Sequence, residues 1–140
     1  PREGIQFDNL SGERGYSPWA SYGQSKLANL LFANHLAKRL EGTGKTANSL
    51  HPGVIYTNLG RSMNPIAKAA LAIGAPLVLK SVPQGAATTC YVAVHPNIDG
   101  LAGEYFADCN VSVPSSHGRD EAMAAKLWEV SEKIAAEVTA

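Results

Sequence analysis

Apolar residues recur at three- and four-residue steps along the first third of the chain, which is the period of an amphipathic helix. The pattern predicts one long helix from Pro18 to Leu40. Ser17 is the expected N-cap, and Pro18 suits the first helical position because no backbone N–H is needed there. Gly42 or Gly44 would cap the other end. The repeating apolar positions are Leu27, Leu30, Leu31, Ala33, Ala37 and Leu40.

Shorter segments with weaker patterns follow this helix. Thr46–Leu50 (TANSL) predicts a strand, and Gly103–Ala107 (GEYFA) predicts a short buried strand. Further helices are predicted from Asn64, from Pro83 to Val94, and from about Asp120 to Val138. The Pro83 helix has an apolar face of Ala86, Cys90 and Val94, and the last helix has a stripe of Ala124, Leu127, Trp128, Ile134 and Val138.

This set of elements predicts an α/β fold. Strands that alternate with helices favour a parallel sheet covered by helices. The sequence predicts about four helices but only two strands. Two short strands are too small a sheet for the apolar faces of these helices to pack on, since an isolated pair of strands is marginally stable. The missing strands would precede Pro1, and the chain begins with Pro rather than Met. We therefore expect residues 1–140 to be the C-terminal half of a larger α/β domain.

Composition excludes one broad class of partner. The 140 residues are 45% hydrophobic and 17% charged, so the chain is able to bury a core and is not of the disordered type. Its net charge is zero and it has no long basic run. Because binding to nucleic acid depends on a positive field, we expect no nucleic-acid partner.

The cysteine and histidine residues do not predict a metal site. Cys90 and Cys109 form no C-x-x-C pair, and the four histidines do not cluster at ligand spacing. We expect two buried or inert thiols in a reducing compartment. With no visible signal peptide, the expected location is the cytoplasm.

The longest apolar run, Ala69–Leu79, is too short to cross a bilayer, which takes about 20 apolar residues. Gly74 and Pro76 interrupt it further. Three interpretations remain open at this stage. The run is a helix packed on the core or on another subunit, an apolar cover over a substrate pocket, or a surface in peripheral contact with a membrane.

The stretch SYGQSKLAN carries the first candidate for chemistry. Tyr22 and Lys26 are four residues apart on the predicted helix, so both side chains lie on one face. A free Tyr has a pKa of about 10, which is too high for a base near neutral pH. A nearby ammonium favours the phenolate, so Lys26 would lower the pKa of Tyr22. The alternative is a solvated surface contact.

A second motif gives the pair its context. Tyr22-x-x-x-Lys26 on a helix, followed after a strand by HPGVIYT (residues 51–57), resembles the short-chain dehydrogenase/reductase family. The flanking text YSPWASYGQSKLANLLFA and SLHPGVIYTNLGR is most similar to its retinol dehydrogenase-like branch. This resemblance implies that residues 1–140 are the C-terminal part of one doubly wound, Rossmann-type NAD(P)-binding domain.

The resemblance also implies a cofactor site for NAD or NADP. Tyr22 and Lys26 would both belong to this site: Tyr22 would exchange the proton as general acid/base, and Lys26 would hydrogen-bond the nicotinamide ribose. The loop after the strand would meet the nicotinamide, with Gly53 allowing close approach of the backbone. The residues implied in this loop are Pro52, Gly53, Val54, Ile55 and Thr57. His51 is expected to pack under the loop as a neutral ring rather than act in catalysis.

Other parts of the family pattern are absent from this chain. The glycine-rich loop G-x-x-x-G-x-G, the active-site Ser and the Asn of the family tetrad do not occur at matching positions.

The expected function is interconversion of an alcohol and a carbonyl by hydride transfer. The expected substrate is apolar, such as a retinoid, steroid or lipid aldehyde, and the Tyr22 helix is a possible homodimer interface. The alternatives are a catalytically incomplete interaction module and a binder of apolar ligands.

Overall fold

The computed structural model describes residues 3–55 and 79–139. Thr57, the helix predicted from Asn64 and the apolar run as far as Val78 lie outside the described residues. The elements are α1 (Pro18–Arg39), β1 (Ser49–His51), α2 (Val82–Val94), β2 (Tyr105–Ala107), β3 (Asn110–Val111) and α3 (Glu121–Thr139). Two short 3₁₀ turns lie at Pro96–Ile98 and His117–Arg119.

The strands form a small mixed sheet in the order β1-β2-β3. Beside β1 and β2, Gly103 donates its backbone N–H to Ala47 and Ser49 donates to Glu104. Residue numbers rise together on both sides of these hydrogen bonds, from Ala47 with Gly103 to Ser49 with Glu104. β1 and β2 therefore run parallel. β2 and β3 are antiparallel, with Phe106 opposite Val111. The described residues are thus an α/β piece, as predicted, although the sequence predicted only two strands.

The turn between β2 and β3 explains why the third strand was missed. It consists of Asp108 and Cys109, whose φ angles of +52° and +59° are both left-handed. Two-residue hairpin turns of this kind favour Asn-Gly, because each side chain in the left-handed region costs about 1–3 kcal/mol. Asp-Cys is therefore a poor turn signal, and tertiary contacts must hold this turn.

Thr88 of α2 supplies one of these contacts. Its side chain is 1% exposed, and its hydroxyl accepts a 3.3 Å hydrogen bond from the Cys109 backbone N–H. The same oxygen lies 3.8 Å from the Cys109 sulfur. The hairpin turn is therefore fixed to α2 by a buried hydroxyl.

Replacing Thr88 by Val is expected to lower the free energy of unfolding by about 1–3 kcal/mol, because the Cys109 N–H loses its acceptor while the side-chain shape is kept. Thr88→Ser is the matched control, since it keeps the hydroxyl and loses one methyl group, worth about 0.8 kcal/mol. Urea unfolding of both variants checks the order. A Val variant as stable as the Ser variant would show that the hydroxyl does not hold the turn.

The described residues divide into two compact units. The first comprises residues 1–49, 100–105 and 112–140, and the second comprises residues 50–99 and 106–111. In the first unit α1 packs on α3 and on the N-terminal segment. Its buried core consists of Ile5, Leu27, Leu31, Ala124 and Leu127.

The predicted apolar faces are only partly correct. On α3, Ala124 and Leu127 are buried as predicted. Ile134 and Val138 are 46% and 82% exposed, because within the described residues the core ends near Trp128.

On α2 the buried residues are Gly85 and Thr88, whereas the apolar face of Ala86, Cys90 and Val94 is exposed in this chain. A Cβ at Gly85 would collide with the Ile55 side chain, so α2 is seated through its smallest residue rather than through bulky ones. Of the two thiols expected to be buried or inert, Cys90 is exposed and Cys109 is partly buried, and neither forms a disulfide.

The helix ends also differ from prediction in detail. Ser17 is the N-cap of α1, as predicted, but its side chain makes no capping bond. The C-cap is Leu40 in the right-handed region, with its N–H bonded to the carbonyl of Leu36, so neither glycine caps the helix. α2 begins one residue before Pro83 because Ser81 and Gln84 form a reciprocal capping box.

Candidate functional site

The Tyr22–Lys26 pair lies on one face of α1, as its four-residue spacing predicts. The Lys26 Nζ lies 5.3 Å from the centroid of the Tyr22 ring, within cation–π range. Tyr22 is 59% exposed, and Lys26 is exposed as well. Among the described residues no carboxylate pairs with Lys26, so a phenol and an unpaired ammonium are presented together to solvent.

A cleft of about 620 Å³ lies between the N-terminal segment and the first turns of α1. Gln24 anchors that segment by accepting the Gln6 backbone N–H at 2.7 Å. The cleft is lined on the helix side by Ser21, Gln24 and Ser25 but not by Tyr22. It therefore does not contain the candidate acid/base.

Pro52–Ile55 form a turn in the second unit. Gly53 has a left-handed φ of +88°, and a Cβ built there would lie 2.7–2.9 Å from the Cδ, Cε and Nζ atoms of Lys80. The backbone angle therefore favours glycine, and any side chain here would also displace the far end of Lys80. The Lys80 backbone N–H donates to the Val54 carbonyl at 2.8 Å, and Ile55 forms a parallel bridge with Lys80.

Lys80 is also paired with a carboxylate. Its ammonium hydrogen-bonds Asp108, and its side chain is 29% exposed while that of Asp108 is 73% exposed. The hydrogen bond and the positive charge of Lys80 hold the pKa of Asp108 below its ordinary value, and His51 contributes in the same direction. This pair was not predicted, because the two residues are 28 positions apart and belong to no motif.

The predicted site residues fall into both units. Tyr22 and Lys26 lie in the first unit, whereas Pro52, Gly53, Val54 and Ile55 lie in the second. The expectation that His51 packs under the loop is wrong: β1 extends through His51, so the turn begins after it and the ring is exposed.

The described residues contain no group of three His, Cys, Asp or Glu side chains that could hold a metal ion. Likewise, none of the helices in the described ranges is long and apolar enough to span a membrane.

Curated relatives share most of this chain. It is 49% identical over 134 residues to the chloroplastic short-chain dehydrogenase TIC 32 B of Brassica napus, covering 94% of this chain and 42% of that protein. It is 42% identical over 130 residues to human retinol dehydrogenase 14, covering 91% and 39%. It is 39% identical over 132 residues to the WW domain-containing oxidoreductase of Gallus gallus, covering 93% and 31%. No family model matches the chain.

The three-stranded mixed sheet, its helices and the paired Tyr and Lys are consistent with part of a Rossmann-type domain of a dehydrogenase. The chain belongs to the short-chain dehydrogenase/reductase family, and its similarity to the retinol dehydrogenases confirms the resemblance seen in its two motifs. The chain spans about two fifths of the length of TIC 32 B and of retinol dehydrogenase 14.

Proposed function

We propose that the protein carrying these residues is an NAD(P)-dependent oxidoreductase that interconverts an alcohol and a carbonyl. The observation that carries the proposal is the exposed Tyr22 phenol beside the unpaired Lys26 ammonium, 5.3 Å from the ring centroid. The family names of the relatives support it. The alternative of a solvated surface pair does not account for the second motif at residues 51–57.

The described residues fit a nicotinamide nucleotide. The Lys26 ammonium is free to donate to ribose hydroxyls, since no carboxylate among the described residues competes for it. The Pro52–Ile55 turn has no side chain of its own at Gly53, where the far end of the Lys80 side chain lies, and Val54 is 59% exposed to solvent. By resemblance, the Thr57 hydroxyl completes the nicotinamide end of the site. The choice between NAD and NADP is left open.

The proposed mechanism assigns one proton step to this chain. Lys26 and the Pro52–Ile55 turn would hold the nicotinamide nucleotide, which when bound would supply hydride transfer to or from the substrate carbon. During oxidation Tyr22, as phenolate, receives the hydroxyl proton of the alcohol as the carbonyl forms. Lys26 stabilises the phenolate by its positive charge. In the reverse direction Tyr22 donates the same proton to the carbonyl oxygen.

The proposed substrate is an apolar alcohol or carbonyl compound. One relative is a human protein named retinol dehydrogenase 14. The run Ala69–Leu79 is rich in apolar residues, as a cover for such a substrate requires. Turnover of long apolar alcohols in preference to short polar ones by the whole protein would support this assignment.

A second candidate function is a non-catalytic interaction module. The observation that favours it is the exposure of large apolar side chains on α1, where Trp19 is 84% and Phe32 is 45% exposed. We propose that a homodimer through the Tyr22 helix would use this surface. A cofactor-independent dimer in sedimentation experiments, without cofactor binding, would favour this candidate.

Saturable binding of NADPH or NADH by the chain, followed by nicotinamide fluorescence, is the expected result that tests the proposed enzyme. Lys26→Met should weaken this binding by about tenfold or more, because a hydrogen bond to a charged group contributes about 1.5–3 kcal/mol. Lys45→Met is the matched control, since Lys45 is exposed and lies beyond α1. If both substitutions weakened binding equally, or if Lys26→Met left the affinity unchanged, Lys26 would not have the cofactor-binding role assigned to it.

A further inference from the structure

We propose that Lys80 and Asp108 are positioning residues, and that their ion pair fixes the Pro52–Ile55 turn by joining it to the β2–β3 hairpin turn. The part of this inference that concerns cofactor binding rests on the proposed function, in which the Pro52–Ile55 turn meets the nicotinamide. All the residues of the argument belong to the second compact unit.

Lys80 contacts the turn in two ways. Its backbone N–H donates to the Val54 carbonyl at 2.8 Å, and its side chain lies across the face of Gly53 where a Cβ would otherwise stand. The atoms next to Gly53 are Cδ, Cε and Nζ, so the far half of the Lys80 side chain packs on the turn. A movement of this side chain changes the space next to the Gly53 backbone.

Asp108 holds the far end of that side chain. Its φ of +52° places it in a left-handed turn that the Thr88 hydroxyl fixes through the neighbouring Cys109 N–H. The backbone that carries this carboxylate is therefore held at the neighbouring residue. The carboxylate is ionised at neutral pH, and the hydrogen bond and positive charge of Lys80 lower its pKa further.

Removing the pair leaves a long flexible stem with no fixed end. The turn would then depend on the Lys80–Val54 backbone bond and the Ile55 bridge. Because misplacement of a binding group by about 1 Å is enough to lower activity by about 10²-fold, we expect this loosening to affect ligand binding.

Hydrogen exchange of the residue 80 amide tests the positioning directly, because this N–H is bonded to Val54 and its exchange reports opening of the turn. Asp108→Asn keeps a residue type that tolerates the left-handed region and removes the charge. Lys80→Met keeps an apolar stem and removes the ammonium. Both variants should exchange this amide at least tenfold faster than the wild type.

Two controls make the readout local. Asp8→Asn removes the partner of Arg14 in an exposed 3.0 Å pair of the first unit, and it should leave the residue 80 amide unchanged. The Ala124 amide, bonded to Asp120, should keep its rate in every variant. A residue 80 rate within twofold of the wild type overturns the proposal. So does equal acceleration of the Ala124 amide, since that indicates general destabilisation.

NADPH and NADH titrations of the same variants separate this inference from the proposed function. Weaker binding in both variants, together with faster exchange, supports the positioning role. Faster exchange with unchanged affinity overturns it, because the pair would then stabilise the turn without serving the ligand. If the wild type binds neither nucleotide, the proposed function fails for this chain, and the exchange rates alone decide whether the ion pair fixes the turn.

Discussion

Tyr22→Phe is expected to lower kcat for alcohol oxidation by about 10²–10⁴-fold, the usual contribution of a positioned general acid or base. Phe keeps the ring that lies 5.3 Å from the Lys26 ammonium and removes only the oxygen that would carry the proton. The measurement is steady-state turnover by the whole protein that carries these residues. The KM for NADPH or NADH should change little, because the hydroxyl of Tyr22 is assigned to proton transfer in the chemical step.

The chain offers a matched control for this substitution. Tyr16 is 70% exposed and lies just before α1, so Tyr16→Phe makes the same chemical change at a comparable surface position. It should leave kcat within about twofold of the wild type. Loss of activity in both variants would point to a structural effect. A Tyr22→Phe enzyme within tenfold of the wild type would remove Tyr22 from the mechanism.

Leu31→Ala is expected to lower the free energy of unfolding by about 2–5 kcal/mol, the range for large-to-small changes in a core. Leu31 is 0% exposed and lies in the cluster where α1, α3 and the N-terminal segment meet. The truncation removes apolar contact and leaves a cavity that helices on both sides fill only in part. For a domain whose total stability is about 5–15 kcal/mol, this is a large fraction.

Leu10→Ala is the control for the Leu31 variant, because Leu10 is 50% exposed. We expect a loss of about 0.5 kcal/mol or less there. Trp128 is a natural fluorescent reporter, since its ring stacks on Phe32 at 5.1 Å in the first unit. The midpoint of urea unfolding should fall with little change in slope for Leu31→Ala. Equal midpoints for the two variants would show that Leu31 is not part of a packed core.

Sequence periodicity predicts the two long helices well. The predicted helix Pro18–Leu40 is observed as Pro18–Arg39, and the predicted helix from Asp120 to Val138 is observed as Glu121–Thr139. Apolar residues at helical spacing specify both helices, and Pro18 adds a start signal for α1. The strand containing Phe106 was predicted for a similar reason, because it is a short apolar run between turns.

What the sequence could not predict depends on tertiary contacts. The β2–β3 turn carries Asp108 and Cys109, neither of which signals a hairpin, and Lys80 and Thr88 that hold it are distant in the chain. The contact of α2 through Gly85 was not predicted, because apolar spacing marks bulky residues and Gly85 has no side chain. In the candidate site, the four-residue spacing of Tyr22 and Lys26 correctly predicted that the two side chains lie close together. The Lys80–Asp108 pair has no counterpart in any short motif.

The two glycines at positions 53 and 85 also constrain how this protein varies. Each leaves a space that another residue's side chain fills: Lys80 lies where a Cβ of Gly53 would be, and Ile55 lies where a Cβ of Gly85 would be. Volume gained at Gly85 therefore has to be given up by Ile55, whereas at Gly53 the flexible far end of the Lys80 side chain can move aside. We expect Gly85 and Ile55 to drift together among natural variants, with a larger residue at one accompanied by a smaller residue at the other. At Gly53 even that exchange is restricted, because its left-handed backbone disfavours any side chain.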